Sequence, residues 1–453
     1  MGALGVINTW DLPTYLGVLG CVLVYRGWKA RGLRGIVVGA ITSLLVAAIS
    51  LALYSPFFLH YRTPDLSLAL VPPPDRTHLS RFMTVWGLQL FLVISLVSVW
   101  AVRDRPWRRL LRLGRGSLGQ SPCSLAGSRR PVVLRLVLRL AALMLITALV
   151  WLFRDMLVVA LLAVLLAFAG ILLLASGRNE AVFLQRLMLF VGLGLLLGVE
   201  VVYLRDWLAE SEWRRMNTVF KFYIQAWVLI GLASGAALPE LWRHILRRRQ
   251  ALALVWSGAL ALLVVSSLAY LVMGIPARVT ERFPGARPPV GTLDGTAYMR
   301  TAIYGWPDED HSIELKYDRE AILWLLRHVE GTPVIAVAPL GYYRAGGLRV
   351  SAYTGLPTIV GAHQREQRPM DQVSAREGDA AELYRTTDTS AMVDILRRYR
   401  VKYVYVGQLE RNVYPGPGLA KFEELTKAGT LARVFHNDRV DIYEVLRDSD
   451  ADC

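Results

Sequence analysis

The segment AVFLQRLMLFVGLGLLLGVEVVYLRDWLAESEWRRMNTVFKFYIQAWVLIGLASGAALPELW, residues 181–242, decides the fold. Its flanks, 181–204 and 222–242, are apolar runs of membrane-crossing length, about 20 residues. A charged loop separates them. Such a pair reads as two membrane helices joined at one interface. Similar apolar runs lie at 10–25, 35–58, 82–102, 132–153, 156–175 and 251–273. The chain is therefore expected to be mainly α, with about eight membrane-spanning helices. The first run is short and carries Pro13. It reads as a broken or re-entrant segment, or as the end of a longer helix.

Composition agrees. Hydrophobic residues make up 54% of the 453 residues and charged residues 19%, against about 25% charged in soluble domains. The apolar excess lies before about residue 275. The formal charge of +15 does not point to nucleic acid, because the arginines flank apolar runs. They gather at 26–34, 103–130 and 243–249, which places those loops on the cytoplasmic side. The loops at 60–81 and 205–221 and the Arg154-Asp155 turn are mixed in sign and belong on the other face. The N-terminus and everything after about residue 274 then lie outside the cytoplasm. Cell-membrane, multi-pass localisation follows, with lipid as the first partner. Cys21, Cys123 and Cys453 form neither a metal spacing nor a disulfide framework. The N-terminus has no signal-peptide pattern.

The expected domains are a helical membrane domain, 1–274, a Pro/Gly-rich connecting loop, 275–317, and an extracytoplasmic α/β domain, 318–453. In the last, helices are expected at 318–329, 388–399 with Asp388 as N-cap, and 419–428. Strands are expected at 333–338, 403–406, 434–435 and 440–445. Alternating strands and helices suggest a small sheet with helices packed on it.

Four features can carry chemistry. The first is residues 205–227, where Asp206, Arg215, Asn217, Lys221, Tyr223 and Gln225 stand at a membrane interface. Cations there suit a phosphate or pyrophosphate. Carboxylates there suit a general base or a metal ligand. The competing reading is a solvated loop with snorkelling side chains, although the polar groups continue into the following helix. The second is Asp11 beside Pro13, which fits either a polar site on a broken helix or a plain helix start. The third is 349–368, with a turn at Tyr353, a short strand and a polar cluster holding His363 and Glu366. It suits a sugar or phosphate, or a structural role. The fourth is 403–411, a strand end of the kind that favours ligands in α/β sheets, or else a surface ion pair. The centres of the apolar runs are almost free of charge apart from Glu200 near one end, which weighs against a transporter. No P-loop, dinucleotide-binding turn or HExxH site occurs. No cofactor is legible; a divalent metal is the candidate that paired carboxylates would hold.

The stretches INTWDLPTYL (7–16), SPFFLHYR (55–62), RMNTVFKFYIQAW (215–227), SAYTGLPTIVG (351–361) and VKYVYVGQLER (401–411) carry a resemblance. The chain resembles the DUF2298, or "YYY", membrane proteins, and RMNTVFKFY is the specific signal. That family is similar to the GT-C glycosyltransferases. The resemblance implies sugar transfer from a polyprenyl-phosphate donor on the outer membrane face, with the catalytic carboxylate in the first outer loop of such enzymes. The charged residues at the outer interface of this chain separately suggest Asp206 or Asp11 as base or metal ligand and Arg215 and Lys221 on the carrier phosphate. Family members usually have a further N-terminal membrane half with YYYFGH-like and FGDLHPH-like motifs, neither found here. The chain is thus expected to be a C-terminal portion, from a split gene, a late start codon or a two-subunit arrangement in which that half is a separate membrane subunit. The family's Trp residues around a His-Glu pair are replaced here by Ala362 and Gln367. A non-catalytic binding or assembly subunit and a transporter are the rival readings.

Overall fold

The computed structural model describes residues 1–61, 67–104, 156–177, 179–206, 208, 210–247, 250–282, 292–340, 346–361, 368 and 370–446. The chain divides into two compact units, one made of Met1–Tyr61 and Asp65–Leu268, the other containing Ala269–Cys453.

The first unit is helical. It contains α1 (Gly2–Ile7), α2 (Asp11–Arg31), α3 (Leu33–Leu53), α4 (Ser55–His60), α5 (Leu79–Asp104), α6 (Leu157–Leu174), α7 (Glu180–Val201), α8 (Met216–Leu246) and α9 (Gln250–Ala269). Two short strands, β1 (Ser67–Leu70) and β2 (Val202–Arg205), pair antiparallel. Among the described residues, six helical segments are long and apolar enough to cross a membrane: Leu33–Leu53, Leu79–Arg103, Leu157–Leu174, Glu180–Val201, Met216–Ile245 and Gln250–Arg278. The first expected span forms the 21-residue α2 but is not among the six. Asp11 and Pro13 at its start and Arg26, Lys29 and Arg31 at its end dilute its apolar run. The expected span at 132–153 and the Arg154-Asp155 turn lie outside the described residues.

The core of this unit follows helical periodicity. Phe82, Trp86, Leu90, Val93, Leu96 and Trp100 project from one face of α5. They meet Leu162 and Ala169 of α6, Leu189, Leu193 and Leu196 of α7, and the small-residue stripe Ala226, Ala233 and Ala237 of α8. Small residues let helix backbones approach where no hydrophobic effect drives them together. The hairpin of α2 and α3 uses the same device. A Cβ on Gly27 or Gly35 would run into the other's carbonyl, and Gly32 turns the chain at φ +60°. Much of α3 and α9 presents exposed Leu, Val and Ile, as expected of surfaces that lipid covers.

The second unit is α/β. It opens with α10 (Ile275–Arg282), a 3₁₀ turn at Ala297–Arg300, and a hairpin of β3 (Ile303–Gly305) and β4 (Ser312–Glu314). The connecting loop expected at 275–317 is thus corrected. Met299, Ala302 and Ile313 give this segment a buried core with Leu315, Ile322 and Leu409, which its Pro and Gly content concealed. Then follow α11 (Leu315–His328), β5 (Val334–Ala336), α12 (Arg349–Thr354), α13 (Met370–Arg385), α14 (Thr389–Arg398), β6 (Val401–Val406), α15 (Gln408–Val413), α16 (Lys421–Lys427), β7 (Leu431–His436) and β8 (Asp441–Val445).

The sheet order is β5-β6-β8-β7, with β5 and β6 parallel and the other pairs antiparallel. Residues along β6 alternate between two cores. Val404 and Val406 join Leu383, Met392, Leu396 and Phe422 from α13, α14 and α16. Tyr403 and Tyr405 join Ala321, Leu325 and Val350 from α11 and α12. Helices therefore cover both faces. Asp388 caps α14 as expected, its carboxylate accepting the Ser390 and Ala391 amides at 2.8 and 3.3 Å. The strand expected after Pro357 is corrected. That stretch is irregular; the Pro357 carbonyl accepts the Ile335 amide at 2.9 Å, but proline has no N–H to extend a ladder. Sequence reading missed α13, because only Val373, Ala380, Leu383 and Tyr384 of its 16 residues are buried.

Lys421 is 2% exposed, and its ammonium donates to the carbonyls of Gly418 (2.6 Å), Thr386 (2.8 Å) and Tyr384 (3.5 Å). Burial pushes its pKa from 10.5 down to about 8, and Glu382 offsets part of that shift. Below about pH 8 both folded and unfolded chains are protonated and the burial cost stands in full. Between about 8 and 10.5 the unfolded chain holds a proton that the folded chain has shed, so stability rises with pH. Relative to Lys421→Met, the wild-type unit should gain about 2 kcal/mol between pH 7.5 and 9.5. Amide-exchange protection of β7, compared between the two proteins at both pH values, checks this.

Candidate functional site

The candidate site lies at the end of the helical unit where α7 leads through β2 and a charged loop into α8. The β1–β2 ladder runs from Ser67 opposite Arg205 to Leu70 opposite Val202, and the Val71 amide donates to the Val201 carbonyl at 2.9 Å. These bonds fix residues 67–71 against the end of α7. They place the next turn, Asp75–Thr77, over Glu200.

Glu200 has no solvent exposure. Its carboxylate accepts the Thr77 amide at 2.9 Å and the Thr77 hydroxyl at 2.7 Å. It also pairs with Arg215 at 3.0 Å. Arg215 donates further to the carbonyls of Val199, at 2.8 Å, and Asp75. Arg214 approaches the Asp75 carboxylate at 3.5 Å. The structure thus commits Arg215 to an internal lock between α7, the 71–78 turn and the start of α8. It is not a free cation, contrary to its expected place on a phosphate. Tyr223 lies on the same side, its ring edge-on to Trp86 at 5.2 Å, and packs against the main core.

The opposite side of α8 differs. Asn217, Lys221 and Gln225 stand four residues apart, about 6 Å per step along the axis, and form one polar stripe. At one end the Asn217 amide donates to Asp206 at 2.7 Å, and the Leu208 amide donates to the same carboxylate at 2.9 Å. At the other end Gln225, 1% exposed, receives the Thr14 hydroxyl at 2.6 Å and donates to the Trp10 carbonyl at 3.2 Å. Trp10 also meets Phe222 edge-on at 5.9 Å. Asp11 accepts from Asn8 at 2.9 Å and faces the Gln225 amide. Lys221, half-buried and midway between these ends, makes no hydrogen bond or ion pair in the described structure.

The structure therefore brings Asp11, Asn217, Lys221, Gln225 and Asp206 onto one stripe and turns Arg215 and Tyr223 away from it. Thr14 and Thr77 were missed, since a lone threonine near a helix end gives no signal. Glu200 stood out in the sequence as a charge within an apolar run, but its partner was not legible. Tyr353 belongs to the second unit, where its hydroxyl bonds the Tyr298 hydroxyl at 3.1 Å and the Gly295 carbonyl at 3.3 Å. His363 and Glu366 lie outside the described residues. Among the described residues, no group of three or more His, Cys, Asp or Glu comes together to hold a metal ion. Asp206 and Asp11 already have amide partners. The described residues do not fit a divalent-metal centre.

A comparison with curated proteins finds no match. A family model described as uncharacterized membrane protein matches residues 1–230, which take in α1 to α7 and the first turns of α8, hence the whole stripe. With just over half of its 453 residues matched, this chain belongs to the DUF2298 family of membrane proteins.

Proposed function

We propose that this membrane protein takes part in sugar transfer from a polyprenyl-phosphate donor at the extracytoplasmic face of the cell membrane. The N-terminus and the C-terminal α/β domain lie on that face in this reading, as the arginine-rich loops favour. The observation that carries the proposal is Lys221. Among the described residues this ammonium has no hydrogen-bond or ion-pair partner, and it stands midway along a polar stripe with a carboxylate at each end. A half-buried cation without a partner is costly, and a carrier phosphate would supply the missing charge. Lys221 neutralises the departing phosphate, Asn217 lines the approach, the buried Gln225 holds the Thr14 end of the stripe, and Asp11 or Asp206 accepts the acceptor's proton. Arg215 holds the loop in place through Glu200.

A second reading has one observation in its favour. Both carboxylates already accept bonds from side-chain amides, which suits recognition better than proton transfer. The chain would then be a binding or assembly subunit that holds the donor for a partner membrane protein.

Binding of a polyprenyl-phosphate sugar to the full chain in bilayers tests both. Lys221→Ala should weaken binding at least about tenfold, and Lys221→Arg should recover most of it. Wild-type binding by Lys221→Ala, or no binding to any such donor, would sink the proposal. Binding without turnover, regained when a co-purifying membrane protein is added, selects the subunit reading.

A further inference from the structure

The second unit carries a cavity that the stripe on α8 does not explain. It has a volume of about 380 Å³ and is bounded by the irregular segment after Pro357 and the first two turns of α13. That is within the size range of small-molecule sites, about 300–1,000 Å³. Arg368, Gln372 and Arg376 line it on the α13 side, and Thr358 and Gly361 on the other. No carboxylate is among the described lining residues.

Three details make this more than a dent between arginines. Arg376 is held in place. Its guanidinium donates to the Ile359 carbonyl at 3.1 Å and lies over the Tyr399 ring at 5.1 Å, which leaves further donors for a ligand. Arg368 is exposed and makes no hydrogen bond or ion pair in the described structure. The Thr358 hydroxyl is buried without a partner, and such a group costs free energy unless something satisfies it. Two guanidiniums, with no carboxylate among the described lining residues, match a dianion better than a single carboxylate. Thr358 and Gln372 add neutral donors and acceptors of the kind that read hydroxyls.

We propose that this cavity binds a phosphate monoester attached to a small polyhydroxylated group. Arg368 and Arg376 hold the phosphate, and Thr358 and Gln372 contact the hydroxyls beside it. The same phosphate chemistry is offered by a free sugar phosphate and by a phosphatidic acid headgroup.

Titration calorimetry on the full chain in phosphatidylcholine nanodiscs tests this, with inorganic phosphate, a hexose 1-phosphate and glucuronate as probes. A second arm adds phosphatidic acid to the nanodisc. The hexose phosphate should bind most tightly, inorganic phosphate more weakly and glucuronate weakest. Arg368→Gln, which disturbs no described contact, should weaken hexose phosphate binding at least about tenfold. Thr358→Val should weaken the hexose phosphate and leave inorganic phosphate unchanged. Hexose phosphate binding that weakens at least about tenfold when phosphatidic acid is in the nanodisc would show the lipid phosphate competing for the same two arginines and keep the proposal. Binding unchanged by both Arg368→Gln and Thr358→Val, equal binding of glucuronate, or no binding of any phosphate would overturn it.

Discussion

Arg215→Met should cost the helical unit about 3–5 kcal/mol, the range for breaking a buried ion pair from one side. Glu200 has no solvent exposure and pairs with Arg215 at 3.0 Å. Without Arg215 it keeps the two Thr77 bonds but loses its counter-charge. The carbonyls of Val199 and Asp75 lose their donor in the same step. Desolvation of the unpaired carboxylate outweighs the loss of any one neutral hydrogen bond. Thermal unfolding of detergent-solubilised protein should show a large drop or no cooperative transition. The double variant Glu200→Gln with Arg215→Met should recover much of the loss. It removes the buried charge, and its amide oxygen can still accept from Thr77. A single variant within about 1 kcal/mol of wild type would show that the pair does not lock α7 to the start of α8.

This pair also marks the limit of what the sequence discloses. Periodicity and apolar length were enough for the helices that cross the core, because Phe82, Trp86, Leu90, Val93, Leu96 and Trp100 recur at helical spacing. Capping chemistry was enough for Asp388. Which polar residue meets which is a property of the packed bundle. Arg215 and Lys221 are both basic and six residues apart. One points to Glu200 and the other to a position on the stripe with no partner among the described residues. Their faces differ by the helical angle alone, and the sequence is silent on which face has an acid across from it. The segment 275–317 failed for another reason. Its buried residues, Met299, Ala302 and Ile313, are too sparse to register as a pattern and gain meaning only against α11 and α15.

In the α/β unit the residue with the largest expected effect is Arg349. Its guanidinium is nearly fully buried. It donates to Asp318 at 2.6 Å and to Glu410 at 3.1 Å, both without solvent exposure. Tyr405 adds a bond to Asp318 at 2.7 Å, and the Gly407 amide one to Glu410 at 3.0 Å. Burial disfavours the guanidinium's charge, but the two carboxylates outweigh it and hold its pKa well above the ordinary value. The cluster ties α11, α12 and α15 to the carboxyl end of β6. It is also the one described place in this unit where two fully buried acids share a single cation. Arg349→Met therefore leaves two uncompensated charges, and the expected loss is at least the about 3–5 kcal/mol of a single broken pair. Amide exchange in β5 and β6 should rise toward that of an unfolded chain, while protection in α5 to α8 persists. The triple variant Asp318→Asn, Glu410→Gln, Arg349→Met removes every charge in the cluster. It should restore protection to within about 2 kcal/mol of wild type, because neutral amides still bond Tyr405 and the Gly407 amide. If Arg349→Met alone left β6 protected, the cluster would not be what holds these helices to the sheet. If the triple variant stayed unfolded, hydrogen-bond geometry rather than charge would be the deciding factor.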